Sequence, residues 1–153
     1  MSQQPIVPCL WFDHVAEEAV NFYVDLFPDS EILRIDRYPE EGLLDFQKEF
    51  AGLPLSVEFT LRGQRFTAIN AGSEFHFTEA LSLVVECADQ EEIDRYWAAL
   101  SAVPESEQCG WCKDKYGLSW QIVPANMGEL MASPGAYQRM MSMKKLDIEG
   151  LRG

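Results

Sequence analysis

Cys109 and Cys112 stand three residues apart in CGWCK, a spacing that can serve redox chemistry. A Cys-x-x-Cys pair works as a dithiol when a helix N-terminus lowers one thiol pKa. Here the stretch reads as a strand, and residues three apart on a strand point to opposite faces, about 10 Å from one another. A disulfide needs Cα atoms within about 7 Å. The pair is therefore predicted to be reduced and unlinked, with a thiol-dependent redox protein as the competing reading. Two histidines, His14 and His76, are too few for a histidine-rich metal site. All four cysteines (Cys9, Cys87, Cys109 and Cys112) lie in apolar or strand-like contexts, which points to reduced thiols in a cytoplasmic protein.

The remaining candidates are neutral polar residues on apolar strands. Pairing Asp114 with Gly117 across a turn sets Trp111 opposite Trp120, Gly110 opposite Gln121 and Cys112 opposite Ser119. Gln121, Ser119 and Cys112 then share one sheet face, and the tryptophan pair reads as core. A buried glutamine needs hydrogen-bond partners, so Gln121 is either satisfied within the protein or positioned for a ligand. A turn at Gly63-Gln64 likewise sets Val57 against Asn70. Ser82, Val84 and Glu86 share one face of their strand, with Glu86 read as a solvated strand-end acid. Met140, Met141 and Met143 read as packing for a C-terminal helix.

The elements that would carry these residues come in two similar series. Residues 6–12 form an apolar strand. Asp13 is placed to cap a helix whose apolar positions recur from Ala16 to Phe27, and Phe27-Pro28 stops it. A strand at 31–38, a long loop at 39–53 and strands at 55–61 and 65–70 follow, the last two joined by an Arg62-Gly63-Gln64 hairpin signal. The second series opens with an apolar strand at 81–87. Asp89 and Glu92 make a capping box for a helix marked by Ile93, Tyr96 and Leu100. CGWCK, a turn at 114–117 and LSWQIV at 118–123 then follow, and the sequence from Ala136 reads as a C-terminal helix with a tail. Aligning Pro8 with Ser82 sets Phe22-Tyr23 over Tyr96-Trp97. That echo predicts a duplicated β-α-β-β-β unit within one domain, with modules at about 5–72 and 80–125 and the helix and tail at 134–153.

Composition narrows the function classes. The chain has 153 residues, 12 Lys+Arg against 25 Asp+Glu and a net charge of −13. Such a body repels phosphate backbones, which argues against a nucleic-acid partner. No apolar run approaches the roughly 20 residues of a membrane span. MSQQPIVPCLWF has no basic n-region, so no signal peptide is read there.

Five stretches, AEEAVNFYVDLFP, VEFTLRGQRFTAIN, SLVVECADQEEIDRYWAAL, QCGWCKDKYGLSWQIVP and MSMKKLDIEGL, together resemble the PhnB-like proteins, also called "3-demethylubiquinone-9 3-methyltransferase" domains. These belong to the glyoxalase/bleomycin-resistance/dioxygenase, or vicinal oxygen chelate, superfamily. The resemblance implies an α+β fold of two paired β-α-β-β-β modules whose curved sheets enclose a cavity, and a homodimer. It implies metal-ligand positions at Pro8, Asn70, Ser82 and Gln121. None of these is His, Asp or Glu, so no metal is expected. The glycines include no G-x-G turn of the kind that admits S-adenosylmethionine in common methyltransferases, so the methyltransferase name implies no cofactor here. The expectation is a small-molecule binding protein, or a metal-independent enzyme, with Asn70, Ser82, Gln121, Ser119 and Cys112 lining the cavity. Amides and hydroxyls there suit a polar, uncharged or weakly anionic ligand. A dimerisation or interaction module with a closed cavity is a further alternative.

Overall fold

The computed structural model describes residues 6–153. The reading of the N-terminus as free of an export signal therefore falls partly outside the described residues. The chain divides between His76 and Phe77 into two compact units.

The first unit runs β1 (Cys9–Asp13), α1 (Ala16–Leu26), β2 (Glu31–Arg37), β3 (Pro54–Leu61) and β4 (Gln64–Ala71), with a 3-10 helix at Asp45–Phe50. The sheet order is β1-β4-β3-β2, with β1 parallel to β4. Leu10, Phe12, Val57, Phe59, Phe66, Ala68 and Asn70 alternate onto one buried face. Against that face α1 packs Ala16, Ala19, Val20 and Tyr23. Asp13 does not cap α1. It ends β1, the chain turns at His14 with φ 64, and the cap position is Val15, which makes no side-chain bond. The orphan amide of Ala16 is met from a distant strand, by Asn70 Oδ1 at 3.1 Å. Phe27 closes the helix in an extended conformation, as its following proline requires.

Arg62 and Gly63 both have positive φ, 49 and 82, the signature of a two-residue type I′ hairpin. The turn therefore sits one residue earlier than Gly63-Gln64, and Leu61 pairs with Gln64. Val57 faces Ala68 rather than Asn70. A slip of two leaves every side chain on its expected face.

The second unit runs β5 (Ser82–Cys87), α2 (Gln90–Leu100), β6 (Trp111–Lys113) and β7 (Ser119–Pro124). Its order is β5-β7-β6, with β5 parallel to β7. The two units echo one another in part: α1 and α2 both have 11 residues, and Ala16 and Gln90 open them at the same step as Pro8 and Ser82. Asp89 caps α2, accepting from the Glu92 amide at 2.9 Å. This unit has three strands, lacking the counterpart of β2. Between α2 and β6 the chain makes only a 3-10 turn at Pro104–Ser106. Ala102 donates to Lys113 and Gln108 bridges to Trp111, which covers the β6 edge.

The β6–β7 turn holds three residues, Lys115 to Gly117, because Asp114 pairs with Leu118. Asp114 is buried, 1% exposed. Its carboxylate accepts from the amides of Tyr116 at 2.8 Å and Leu118 at 3.1 Å and from Trp120 Nε1 at 2.9 Å. The extra turn residue shifts the register by one from the Asp114–Gly117 expectation. Trp111 now pairs with Gln121, Cys112 with Trp120 and Lys113 with Ser119. A one-residue slip exchanges the faces, so Trp111 and Trp120 do not share one.

The C-terminal segment is three short helices, α3 (Met127–Met131), α4 (Ala136–Met141) and α5 (Ile148–Arg152). Leu130, Leu146 and Leu151 form their core, against which Met140 and Met143 pack. The Cys-Gly-Trp corner docks this segment: Cys109 and Gly110 donate to the carbonyls of Met143 and Lys144 at 2.8 and 2.7 Å. Gly110 has φ +90, and a Cβ there would meet Leu146 Cδ1 at 3.0 Å. Glycine is thus required twice over, by conformation and by space. The fold is α+β, with open sheets of four and three strands.

Candidate ligand cavity

The first unit contains a cavity of ≈ 240 Å³ walled by Trp11, Tyr38, Phe46, Phe50, Leu55 and Ile69, with Gln47, Glu49 and Glu74 among its polar groups. Strand alternation puts Trp11, Ile69 and Ala71 on the sheet face away from α1, since Leu10, Phe12, Ala68 and Asn70 take the other. Leu55 joins them through a break in alternation. Asp36 pairs with Ser56 and Arg37 with Pro54, so Leu55 is the unpaired residue of a bulge. Bulges re-aim side chains in this way.

Each aromatic wall is fixed by its neighbours. Trp11 Nε1 donates to Gly72 O at 2.9 Å, and its ring meets Phe75 edge to face at 4.9 Å. Tyr38 donates its hydroxyl to Asn70 O at 2.7 Å and stacks on Phe50 at 5.1 Å. His14 also stacks on Phe50, at 4.7 Å. Its Nδ1 lies 2.5 Å from Asp13 Oδ1 and its Nε2 3.0 Å from Glu49 Oε1. Those hydrogen bonds, to Asp13 and then Glu49, raise the His14 pKa above 6.5. His14 thereby ties the end of β1 to the 3-10 helix that walls the cavity. Burial, and after it the charge of Glu74, raises the Tyr38 phenol pKa.

The five residues expected to line one cavity are distributed differently. Asn70 is 4% exposed and lies on the α1 face, where its Nδ2 donates to Pro54 O at 3.0 Å while Oδ1 caps Ala16. Its backbone carbonyl, not its amide group, reaches toward the cavity by anchoring Tyr38. In the second unit, Gln121 Nε2 donates to Ser82 Oγ at 2.9 Å. Ser119 lies on the same face, buried, and its Oγ has no hydrogen-bond partner among the described residues. Cys112 does not share that face. It pairs with Trp120 beneath α2, where burial, then Asp114 and Glu107, push its thiol up to about 12. Burial also raises the Cys109 thiol. All four cysteines are free thiols. Raised thiol pKa values leave little thiolate for redox attack.

The four positions that the resemblance implied as metal ligands do not suit one here. Pro8, Asn70, Ser82 and Gln121 offer no imidazole, thiolate or carboxylate. Among the described residues no group of three or more His, Cys, Asp or Glu is placed to hold a metal ion.

Trp11, Tyr38, Phe50, Leu55 and Glu74 escaped the sequence reading. Trp11 stood inside an apolar run, CLWF, and only its alternation with Leu10 and Phe12 marked it as facing the other way. Phe50 and Glu49 lay in the segment read as loop, and nothing in PLSV announces a bulge.

Residues 4–123 match the family model described as 3-demethylubiquinone-9 3-methyltransferase. The chain is 40% identical to the PhnB protein of Bacillus cereus, over 78% of this chain and 99% of that one, with a TM-score of 0.64. A protein from Staphylococcus aureus is 30% identical over 80% of this chain and 97% of its own, with a TM-score of 0.35. Protein PA1353 from Pseudomonas aeruginosa shares the fold at 15% identity, covering 80% of this chain and 98% of its own with a TM-score of 0.61. No curated protein matches. A match to most of the chain, joined to 40% identity over nearly the whole of a PhnB protein, shows that this chain belongs to the PhnB-like, 3-demethylubiquinone-9 3-methyltransferase-like family.

Proposed function

We propose that this PhnB-like protein binds a small molecule in the cavity of its first unit, without a metal. The observation that carries the reading is the cavity itself: ≈ 240 Å³, aromatic-walled and open to a few polar groups. Binding sites usually combine apolar walls with a small number of convergent polar groups, at volumes from about 300 Å³ for drug-sized ligands. A volume just below that suits a smaller one. We further propose that the protein acts in the cytoplasm as a homodimer. Among the described residues no helix is long and apolar enough to cross a membrane.

The test is a ligand-observed NMR screen of small fragments on the wild-type protein and on Ala71→Phe. Ala71 lines the cavity and is half-buried, so a phenyl group there fills the space without entering the α1 core. Hits on the wild type should be lost in the variant. Hits that bind both proteins equally would refute the site.

The unpartnered Ser119 hydroxyl favours a second, separate polar contact made by Ser82, Ser119 and Gln121 on the second sheet. Gln121→Leu removes its amide. A ligand that uses this patch should lose affinity while the fold persists. If binding is unchanged and stability falls by about 1 kcal/mol, Gln121 is only a satisfied sheet residue.

A further inference from the structure

The residues around the cavity also select a charge class. Its lining includes two carboxylates, Glu49 and Glu74, and no lysine or arginine. Glu49 is shared with His14. Glu74 has no ion-pair partner among the described residues, and its Oε2 sits 2.8 Å from where a Gly72 Cβ would be. Gly72 is the residue whose carbonyl holds the Trp11 indole. The free carboxylate therefore stands beside the Trp11 end of the cavity, which Tyr38 also lines.

Trp, Tyr and Phe faces attract cations through the ring quadrupole, Trp most strongly, and this is how quaternary ammonium groups are commonly bound. Trp11, Tyr38 and Phe50 are each held by a hydrogen bond or a stack before any ligand arrives, so little ordering cost falls on binding. An anion would meet two carboxylates and a chain of net charge −13. The polar, uncharged or weakly anionic ligand suggested by Asn70, Ser82 and Gln121 does not match this cavity.

We propose that the occupant of the cavity is a small organic cation, a substituted or quaternary ammonium group, seated against Trp11 and Tyr38 and balanced by Glu74. The proposal rests on the reading of this cavity as a binding site.

The experiment titrates choline and its neutral isostere, 3,3-dimethylbutan-1-ol, into the wild-type protein, Glu74→Gln and Ala71→Phe. The Trp11 indole resonance is followed by NMR. Choline should bind at least about tenfold more tightly than the isostere. Glu74→Gln should weaken choline roughly fivefold and leave the isostere unchanged, while Ala71→Phe should abolish both. Added salt should weaken choline alone. Equal affinity for the two probes, or isostere binding without choline binding, overturns the cation and leaves the cavity standing as a site. Binding of both probes that survives Ala71→Phe overturns the cavity too. Absence of choline binding to the wild type also overturns the cation, whatever the fragment screen finds.

Discussion

Replacing Asn70 by Leu separates a structural role from a ligand role at a residue that sequence placed in a binding site. The amide makes two buried hydrogen bonds, from the Ala16 amide at 3.1 Å and to Pro54 O at 3.0 Å. The first supplies α1 with the cap its own Val15 does not provide. Leu has similar length but leaves both backbone groups without those partners. Each orphaned group costs about 1–3 kcal/mol, and added apolar burial returns about 1 kcal/mol. The net loss should be about 3 kcal/mol. With a urea m-value of about 2 kcal/mol/M, the unfolding midpoint should fall by about 1.5 M. Asn70→Asp should lie between, since a carboxylate still accepts from Ala16 at the positive end of the helix but meets Pro54 O without a proton to offer. Fragment affinity should be kept in the Leu variant, because Tyr38 is anchored on the Asn70 backbone carbonyl. A midpoint shift equivalent to less than about 1 kcal/mol, or lost binding at unchanged stability, would refute this account of Asn70.

Three further outcomes follow from the same geometry. Asp114→Ala removes three hydrogen bonds to a buried carboxylate, so it should lower stability by about 3–4 kcal/mol; a loss below about 1 kcal/mol in denaturant unfolding would show that the turn holds without it. The His14 pKa, read from its imidazole resonances, should lie above 6.5 and fall in Glu49→Gln. Because the folded value is the raised one, the His14 contribution to stability is full below the unfolded pKa and disappears as pH rises through the folded pKa. A measured value at or below 6.5 contradicts the two-carboxylate clamp. Under native conditions at pH 8 the buried Cys87 and Cys112 should resist a thiol reagent while exposed Cys9 reacts. Cys109 stands in a turn ahead of β6 rather than on the expected strand, with φ 39, and Cys112 is buried beneath α2, so mass spectrometry after mild oxidation should find no Cys109–Cys112 disulfide; finding one would overturn that placement.

Much of the fold was legible because its signals are local. Helical spacing from Ala16, the Phe27-Pro28 stop and the Asp89 cap each act within a few residues, and α1 and α2 fall where they point. What local pattern could not fix was turn length. Asp114 can close a turn on Gly117 or on Leu118, and the choice is made by where its carboxylate finds donors, including the indole of Trp120. That single residue of difference moved Cys112 from the expected polar face to the core beneath α2. The missing strand in the second unit reflects the short segment between α2 and β6, too brief for an edge strand and its return. The cavity was hidden for another reason. Its walls come from β1, a bulge in β3, β4 and a 3-10 helix, and their convergence is a tertiary fact that no spacing records.

The cavity of the first unit can be tested at the resolution of single amides. The screen hits should be titrated into 15N-labelled protein and the shift changes mapped. The account predicts that the largest changes fall on the Trp11 indole, Gly72 and Tyr38, which line the cavity, the first two joined by a hydrogen bond. Changes centred instead on Ser82 and Gln121, or scattered over both units without a focus, would contradict it.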